Sequence, residues 1–322
     1  MTGREGKLVA VAGSPGCGKT LTSLKLALAL ESRGKDVLVF ALESAPPPLS
    51  YLLACPPGPR QSLGALLARP QTGPADILRA CLPVPGHRRV ALIGYLPGES
   101  LSDYPAPQAG RIRGVYEKAR RAADFVLLDC AAGAEGSPAT LQALREADAV
   151  LELACADPKS VSYRRCLERL RQDLDRRPGQ ETLTVLNNAA AGQPWEEAVS
   201  LLGALHTAVP QCAAVARQYR EMALWEPPEG REGRHYTERI ARIAGLLLPA
   251  QEQAAAGGKR GKRKREQGKE RAAAGTGPEK SRITAWRKAP PRPFPLWEDA
   301  QGAAAQNNGK GGSRDGTDRP QA

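Results

Sequence analysis

The sequence predicts an α/β fold with a mostly parallel sheet flanked by helices, and three observations carry that expectation. Short, nearly continuous apolar runs such as DVLVFAL at 36–42 and DFVLLD at 124–129 recur along the chain, the pattern of strands buried on both faces. Capped amphipathic stretches separate them, so strand and helix alternate. The first run passes directly through a glycine-rich turn into the first helical pattern, KLVAVAGSPGCGKTLTSLKLALAL at 7–30.

Taken in order, Leu8–Ala12 reads as a strand, and the helix after the turn carries Leu21, Leu24, Leu28 and Ala29 until Gly34 stops it. Asp36–Leu42 is the second strand, ending at Glu43 and Ser44 on the edge where loops face a ligand. From Ala45 to Gly86 the chain is rich in Pro and Gly, with short helices expected at Gln61–Ala68 and Ala75–Cys81. Arg89–Tyr95 reads as a strand, Ala109–Ala123 as a helix and Phe125–Asp129 as a strand. Ser137-Pro138 and Asp157-Pro158 each place an N-cap before a proline at the first helical position, predicting helices to Ala147 and to about Asp175. Ala149–Ala154 is the strand between them. Thr182–Leu186 is a further strand ending at Asn187-Asn188, and Pro194–His206, Ala213–Leu224 and His235–Leu248 complete the domain as helices.

Gly13-Ser14-Pro15-Gly16-Cys17-Gly18-Lys19-Thr20 fits G-x-x-x-x-G-K-[ST], the P-loop, between the strand and the helix that the motif requires. Gly13, Gly16 and Gly18 are expected to take positive φ and to bring backbone amides close to phosphate oxygens. The helix start adds its dipole, the Lys19 ammonium reaches the β/γ-phosphates and the Thr20 hydroxyl ligates Mg²⁺. Asp129, at the end of an apolar strand, is the expected acid of the Mg²⁺ shell or γ-phosphate sensor. Glu43 is the candidate to orient a water or the metal, against the plainer reading of a solvated strand-end charge. Asn187 and Asn188 close a late strand, where an amide can both donate to and accept from adenine or simply form a turn. The GTPase signature N-K-x-D is absent there, for the positions read Asn187-Asn188-Ala189-Ala190, which favours ATP. Cys17 lies inside the loop and is a candidate for sensitivity to oxidation or alkylation. His87, His206 and His235 have no metal or triad spacing.

The 322 residues are 41% hydrophobic but only 4% aromatic, so the core rests on aliphatic side chains. Seven dispersed cysteines without a C-x-x-C pair argue against a zinc site or a disulfide framework and for a reducing cytoplasm. No signal peptide and no run of about 18 apolar residues is present, leaving a cytoplasmic protein, at most peripheral to a membrane. The net charge of +12 is uneven: residues 251–322 carry +8 of it. Residues 1–250 therefore read as the nucleotide-binding domain and 251–322 as a disordered Lys/Arg- and Pro-rich tail. Within the tail, Lys259–Arg265 (KRGKRKR) suits DNA phosphates or an anionic membrane surface, or is a solvated charge run. Residues 283–297, which hold two of the four tryptophans, suit a docking segment for a partner protein.

The P-loop, VLVFALE at 37–43, DFVLLDCAAG at 124–133, DPKS at 157–160 and TVLNN at 184–188 together resemble the MinD/ParA ATPases, over roughly residues 7–248. The resemblance implies an ATP- and Mg²⁺-dependent switch whose ATP-bound homodimer grips a membrane, DNA or a partner until hydrolysis releases it. By position it implies phosphate and Mg²⁺ binding at Lys19 and Thr20, the strand-end switch acid at Asp129, and adenine contact at Asn187 or Asn188. Two positions depart from the family pattern. Its second P-loop lysine is Ser14 here, and its D-x-D reads Ala41-Leu42-Glu43, which fits slow hydrolysis or nucleotide binding alone. The TadZ/CpaE-like branch tolerates such changes, and with it the expectation is an ATPase that positions or assembles a larger machine such as a pilus or secretion apparatus. A DNA-partitioning ATPase and a non-hydrolysing scaffold are the two alternatives.

Overall fold

The structure is a computed structural model that describes residues 5–53, 58, 61–133, 137–190, 192, 195–249 and 252. The expected tail, with Lys259–Arg265 and the 283–297 segment, lies outside the described residues except for Glu252.

Eight strands form one sheet: β1 (Lys7–Gly13), β2 (Val37–Ala41), β3 (Leu82–Val84), β4 (His87–Gly94), β5 (Phe125–Asp129), β6 (Ala149–Ala154), β7 (Glu181–Ala189) and β8 (Thr207–Pro210), in the order β3-β4-β2-β5-β1-β6-β7-β8. All neighbours are parallel except the β3/β4 hairpin. The expected mostly parallel sheet flanked by helices is thus the observed one. The ten α-helices among the described residues are α1 (Lys19–Glu31), α2 (Leu49–Leu52), α3 (Leu63–Ala68), α4 (Pro74–Ala80), α5 (Ala109–Ala122), α6 (Pro138–Glu146), α7 (Pro158–Asp173), α8 (Trp195–Leu202), α9 (Ala213–Arg220) and α10 (Gly230–Leu247). None is long and apolar enough to cross a membrane.

The strands of the sheet centre read as unbroken apolar runs because both faces are covered: every residue of β2, β5 and β6 is buried. Alternate residues divide between two cores. Val9, Val11, Val39, Leu127 and Leu151 face α1 and α10, while Leu8, Ala10, Leu38, Phe40 and Leu128 face α3–α6. Phe40 meets Tyr116 of α5 edge-to-face with ring centroids 5.8 Å apart. The helix starts are capped as expected, with the Ser137 hydroxyl accepting from Thr140 N and the Asp157 carboxylate from Ser160 N.

Three differences from the sequence reading have local causes. Leu82–Val84 is an edge strand rather than loop; Pro83 is tolerated because the strand is outermost, and Pro85-Gly86, with Gly86 at φ 78°, turns it back on β4. The helix expected to reach His206 stops at Leu202 because Gly203 takes φ 72°, which frees the following residues to form β8 on the opposite sheet edge. The helix expected at Ala213–Leu224 ends at Arg220, where Met222 adopts φ 54°, and α10 starts five residues earlier than expected, at Gly230.

Close packing also shapes the pH response. Burial pushes the thiols of Cys17, Cys81 and Cys130 upward from an ordinary 9.0, Cys17 to about 11, and lifts the Tyr95 phenol to about 12. A group whose folded-state pKa is raised stabilises fully below the unfolded value and loses that stability as pH climbs toward the folded one. Lys25, lowered to about 8 by burial, opposes this in part. The expected result in urea unfolding is a midpoint steady between about pH 7.5 and 8.5 that falls between about pH 9 and 11, with a shallower fall in the Cys81→Ala/Cys130→Ala variant. A midpoint flat to pH 11 would contradict it.

Candidate functional site

The site lies at the carboxyl ends of the central strands. The chain leaves β1 for β2 past β5 and later returns across β1 to β6, so a crevice opens where the strand order reverses. The turn at 13–20 sits in that crevice. Gly13 is needed for packing rather than for a positive φ: a Cβ there would lie 2.4 Å from Leu153 O and 2.5 Å from Cys17 Sγ. Gly16 and Gly18 do take positive φ, 78° and 90°. At Gly18 a Cβ would also meet Asn187 Nδ2 at 2.7 Å, so both backbone and neighbour exclude a side chain. Gly18 caps α1 with no side chain, which leaves the first amides of the helix open to an anion.

Three side-chain contacts hold this turn. Ser14 is buried, its hydroxyl 3.0 Å from that of Ser160 in the first turn of α7, and Ser160 Oγ in turn accepts from Cys155 N. Asn187 is buried and donates from Nδ2 to Cys17 O at 2.7 Å. Thr20 donates its hydroxyl to Asp129 Oδ2 at 2.6 Å. Lys19 is folded over the loop, Nζ donating to Gly13 O at 3.0 Å and Ser14 O at 3.2 Å.

Asp129 ends β5 in register with Val11 of β1 and Ala41 of β2. Its carboxyl is pushed up to about 7, chiefly by burial; the Thr20 hydroxyl and the Lys19 charge pull it down, and Glu43 pushes it further up. Its second oxygen, Oδ1, is buried and makes no hydrogen bond of normal geometry among the described residues, and the neighbouring Ser23 hydroxyl also pulls the carboxyl down. A buried carboxylate oxygen without such a bond, beside a hydroxyl, is a donor set suited to a hard divalent cation such as Mg²⁺. Glu43 stands across the cavity, its oxygens accepting long hydrogen bonds from Ala45 N (3.3 Å) and Ala132 N (3.5 Å).

Pro15, Gly16, Gly18, Lys19, Thr20, Glu43 and Asn188 line one cavity of about 590 Å³. The structure therefore brings most of the loop, Glu43 and one of the two asparagines onto one cavity, and leaves Gly13, Ser14, Cys17, Asp129 and Asn187 outside its lining. Asn188, with φ 53°, is exposed at the cavity wall, whereas Asn187 is spent on the loop carbonyl. Cys17, expected to be reactive, is buried with a thiol pushed up to about 11, the opposite of an activated thiolate.

The remaining wall comes from α9, through Ala216, Tyr219 and Arg220. None of these stood out in the sequence, where α9 was only an amphipathic pattern. Its placement depends on Lys25, a buried cation two turns into α1, whose Nζ donates to Gln218 Oε1 (2.8 Å), Leu224 O (2.6 Å) and Glu226 O (2.9 Å). Burial lowers that ammonium to about 8.

No family model matches the chain, and no curated protein matches it. Among solved structures it is similar to the septum site-determining protein MinD of Pyrococcus horikoshii OT3, complexed with Mg-ADP (18% identity, 75% of this chain and 95% of that one, TM-score 0.57). It is also similar to a ParA family ATPase of Chlorobium tepidum TLS (15%, 76% and 99%, TM-score 0.60). A third likeness is to an Asp-to-Ala variant of a Cyanothece McdA complexed with ATP (18%, 77% and 100%, TM-score 0.59). At these identities the likeness is one of fold: the chain has the fold of the MinD and ParA-type ATPases.

Asp129 supplies a prediction in which stability and binding move in opposite directions. Its carboxyl is raised above an ordinary 3.8, so it withdraws stability from the free protein as pH rises from 3.8 through 7. At pH 7.5, Asp129→Asn should melt a few degrees higher than wild type without ligand, yet lose any Mg²⁺-dependent shift produced by ATP. An unchanged free melting temperature together with a retained Mg²⁺-dependent shift would contradict both roles.

Proposed function

We propose that the chain is a Mg²⁺-dependent ATP-binding switch of the MinD/ParA kind that hydrolyses ATP. The observation that supports it most is the Thr20–Asp129 pair, whose buried Oδ1 makes no hydrogen bond of normal geometry among the described residues, set beside an open P-loop and a capless helix start. Thr20 and Asp129 would hold Mg²⁺, Asp129 directly or through water. The metal, when bound, would neutralise charge on the β- and γ-phosphates. Lys19 would exchange its two loop carbonyls for phosphate oxygens, a small movement of an ammonium already inside the site. The amides of Gly13–Thr20 would cradle the phosphates. Asn188, rather than Asn187, would meet the adenine edge. Glu43 would orient water against the terminal phosphate. The likeness to solved structures carrying Mg-ADP and ATP in the same fold supports this choice of ligand.

The reading extends to an ATP-dependent homodimer in the cytoplasm, or at the periphery of a membrane, that positions or assembles a larger machine of the pilus or secretion type. Its partner would be engaged through the C-terminal tail. A non-hydrolysing, nucleotide-bound scaffold is the second reading. It is favoured by Ser14, whose hydroxyl is turned into the protein toward Ser160 and offers no charge to a facing subunit, and by Glu43, both of whose oxygens face backbone amides.

Steady-state ATP turnover and mass by light scattering separate the two. The switch predicts Mg²⁺-dependent turnover that falls at least about 100-fold in Lys19→Ala, the loss expected for removing a charged phosphate contact, and a doubling of mass with ATP but not with ADP. Nucleotide binding without turnover and with a constant monomer mass would favour the scaffold.

A further inference from the structure

We propose that Arg220 reads the γ-phosphate: an arginine from the chain's own α9 supplies the second cation of the nucleotide site. This inference rests on the nucleotide reading above and deepens it.

The cavity's charges leave a place for such a group. Glu43 lines the cavity, Asp129 stands buried behind its wall with Thr20 bonded to it, and Lys19 is the one cation that the loop sets against these two acids. Ser14 contributes none, being buried against Ser160. Arg220 lines the same cavity as Gly16, Lys19, Thr20 and Glu43. Its guanidinium makes no hydrogen bond or ion pair with another described residue. Arg217, three residues earlier on the same helix, is engaged with both Glu221 and Glu229. The guanidinium on the cavity wall is therefore the uncommitted one.

The course of α9 puts that arginine at the phosphate end rather than at the base end. The helix begins just after β8, next to β7 and Asn188, with Ala213 N held by Glu232 Oε1 at 2.6 Å. Beyond it the chain reaches the other half of the sheet, where Trp225 Nε1 donates to Leu52 O at 2.7 Å and the indole lies 6.0 Å from the His87 ring at the start of β4. Between these ends α9 is fastened to α1 by Lys25, whose ammonium donates to Gln218. Arg220 is its last residue, so it arrives on the side of Glu43 and Pro46, which follow β2. A planar guanidinium with donors in a fixed fork suits a phosphate oxygen pair. ADP leaves that position empty, so the contact distinguishes ATP from ADP.

Equilibrium binding of fluorescently labelled ATP and ADP, each with Mg²⁺, tests this in full-length wild type, Arg220→Ala, Arg217→Ala and Lys19→Ala. The expected result is ATP affinity weakened about ten- to hundredfold in Arg220→Ala, the span of a charge-assisted hydrogen bond. ADP affinity should stay within about twofold, Arg217→Ala should match wild type, and Arg220→Lys should recover part of the loss. If Arg220→Ala does not melt like wild type, Arg220→Gln takes its place. Lys19-dependent binding with an unchanged ATP/ADP ratio in Arg220→Ala, or an equal loss of both nucleotides, overturns the Arg220 proposal and leaves the nucleotide site standing. Failure of wild type to bind either nucleotide overturns both.

Discussion

A loop of glycines and a proline has little shape of its own, and the whole carboxyl edge of this sheet depends on how that loop is held. Three side chains from distant parts of the chain hold it: Ser160 at Ser14, Asn187 at the Cys17 carbonyl, and Asp129 at Thr20. Asp129 and Asn187 stand at the carboxyl ends of β5 and β7, and Ser160 in the first turn of α7, the helix that follows β6. Parallel strands end together on one edge, so the fold delivers all three to one place. Glycine is then required at 13 and 18 because the holding groups come so close: Leu153 and Cys17 at the first, Asn187 at the second.

The electrostatics follow from the same geometry. Ending β5 inside the crevice buries Asp129 and raises its carboxyl to about 7, with one oxygen bonded to Thr20 and the other making no hydrogen bond of normal geometry among the described residues. Lys19 donates its ammonium to two loop carbonyls. A buried carboxyl raised this far withdraws stability near neutral pH, a common property of binding residues. The second buried cation of α1, Lys25, carries the loop's helix to α9 and fixes the far wall of the cavity.

Much of this was legible in the sequence where the signal was local. The P-loop, the central strands and the N-caps at Ser137 and Asp157 each lie within a few consecutive residues, and each is found in place. What was hidden was short or long-range. β3 and β8 are three and four residues long and each contains a proline, so their pattern reads as loop. The role of α9 could not be read because Lys25 and Gln218 are 193 positions apart. The sequence left Asn187 and Asn188 as alternatives, and only the fold shows that Asn187 turns to the loop carbonyl while Asn188 reaches the cavity wall. Cys17 looked reactive by its position in the loop, and only packing shows that it is enclosed.

The claim on which the rest stands is that Thr20 and Asp129 make the loop a site for a metal-bound nucleotide. Calorimetric titration of the full-length protein with ATP, in Mg²⁺ and again in excess EDTA, addresses it most directly. The geometry predicts one ATP per chain with micromolar or tighter affinity in Mg²⁺, weakened about tenfold or more when the metal is removed. Binding of equal strength with and without Mg²⁺, or no heat in either condition, would contradict it.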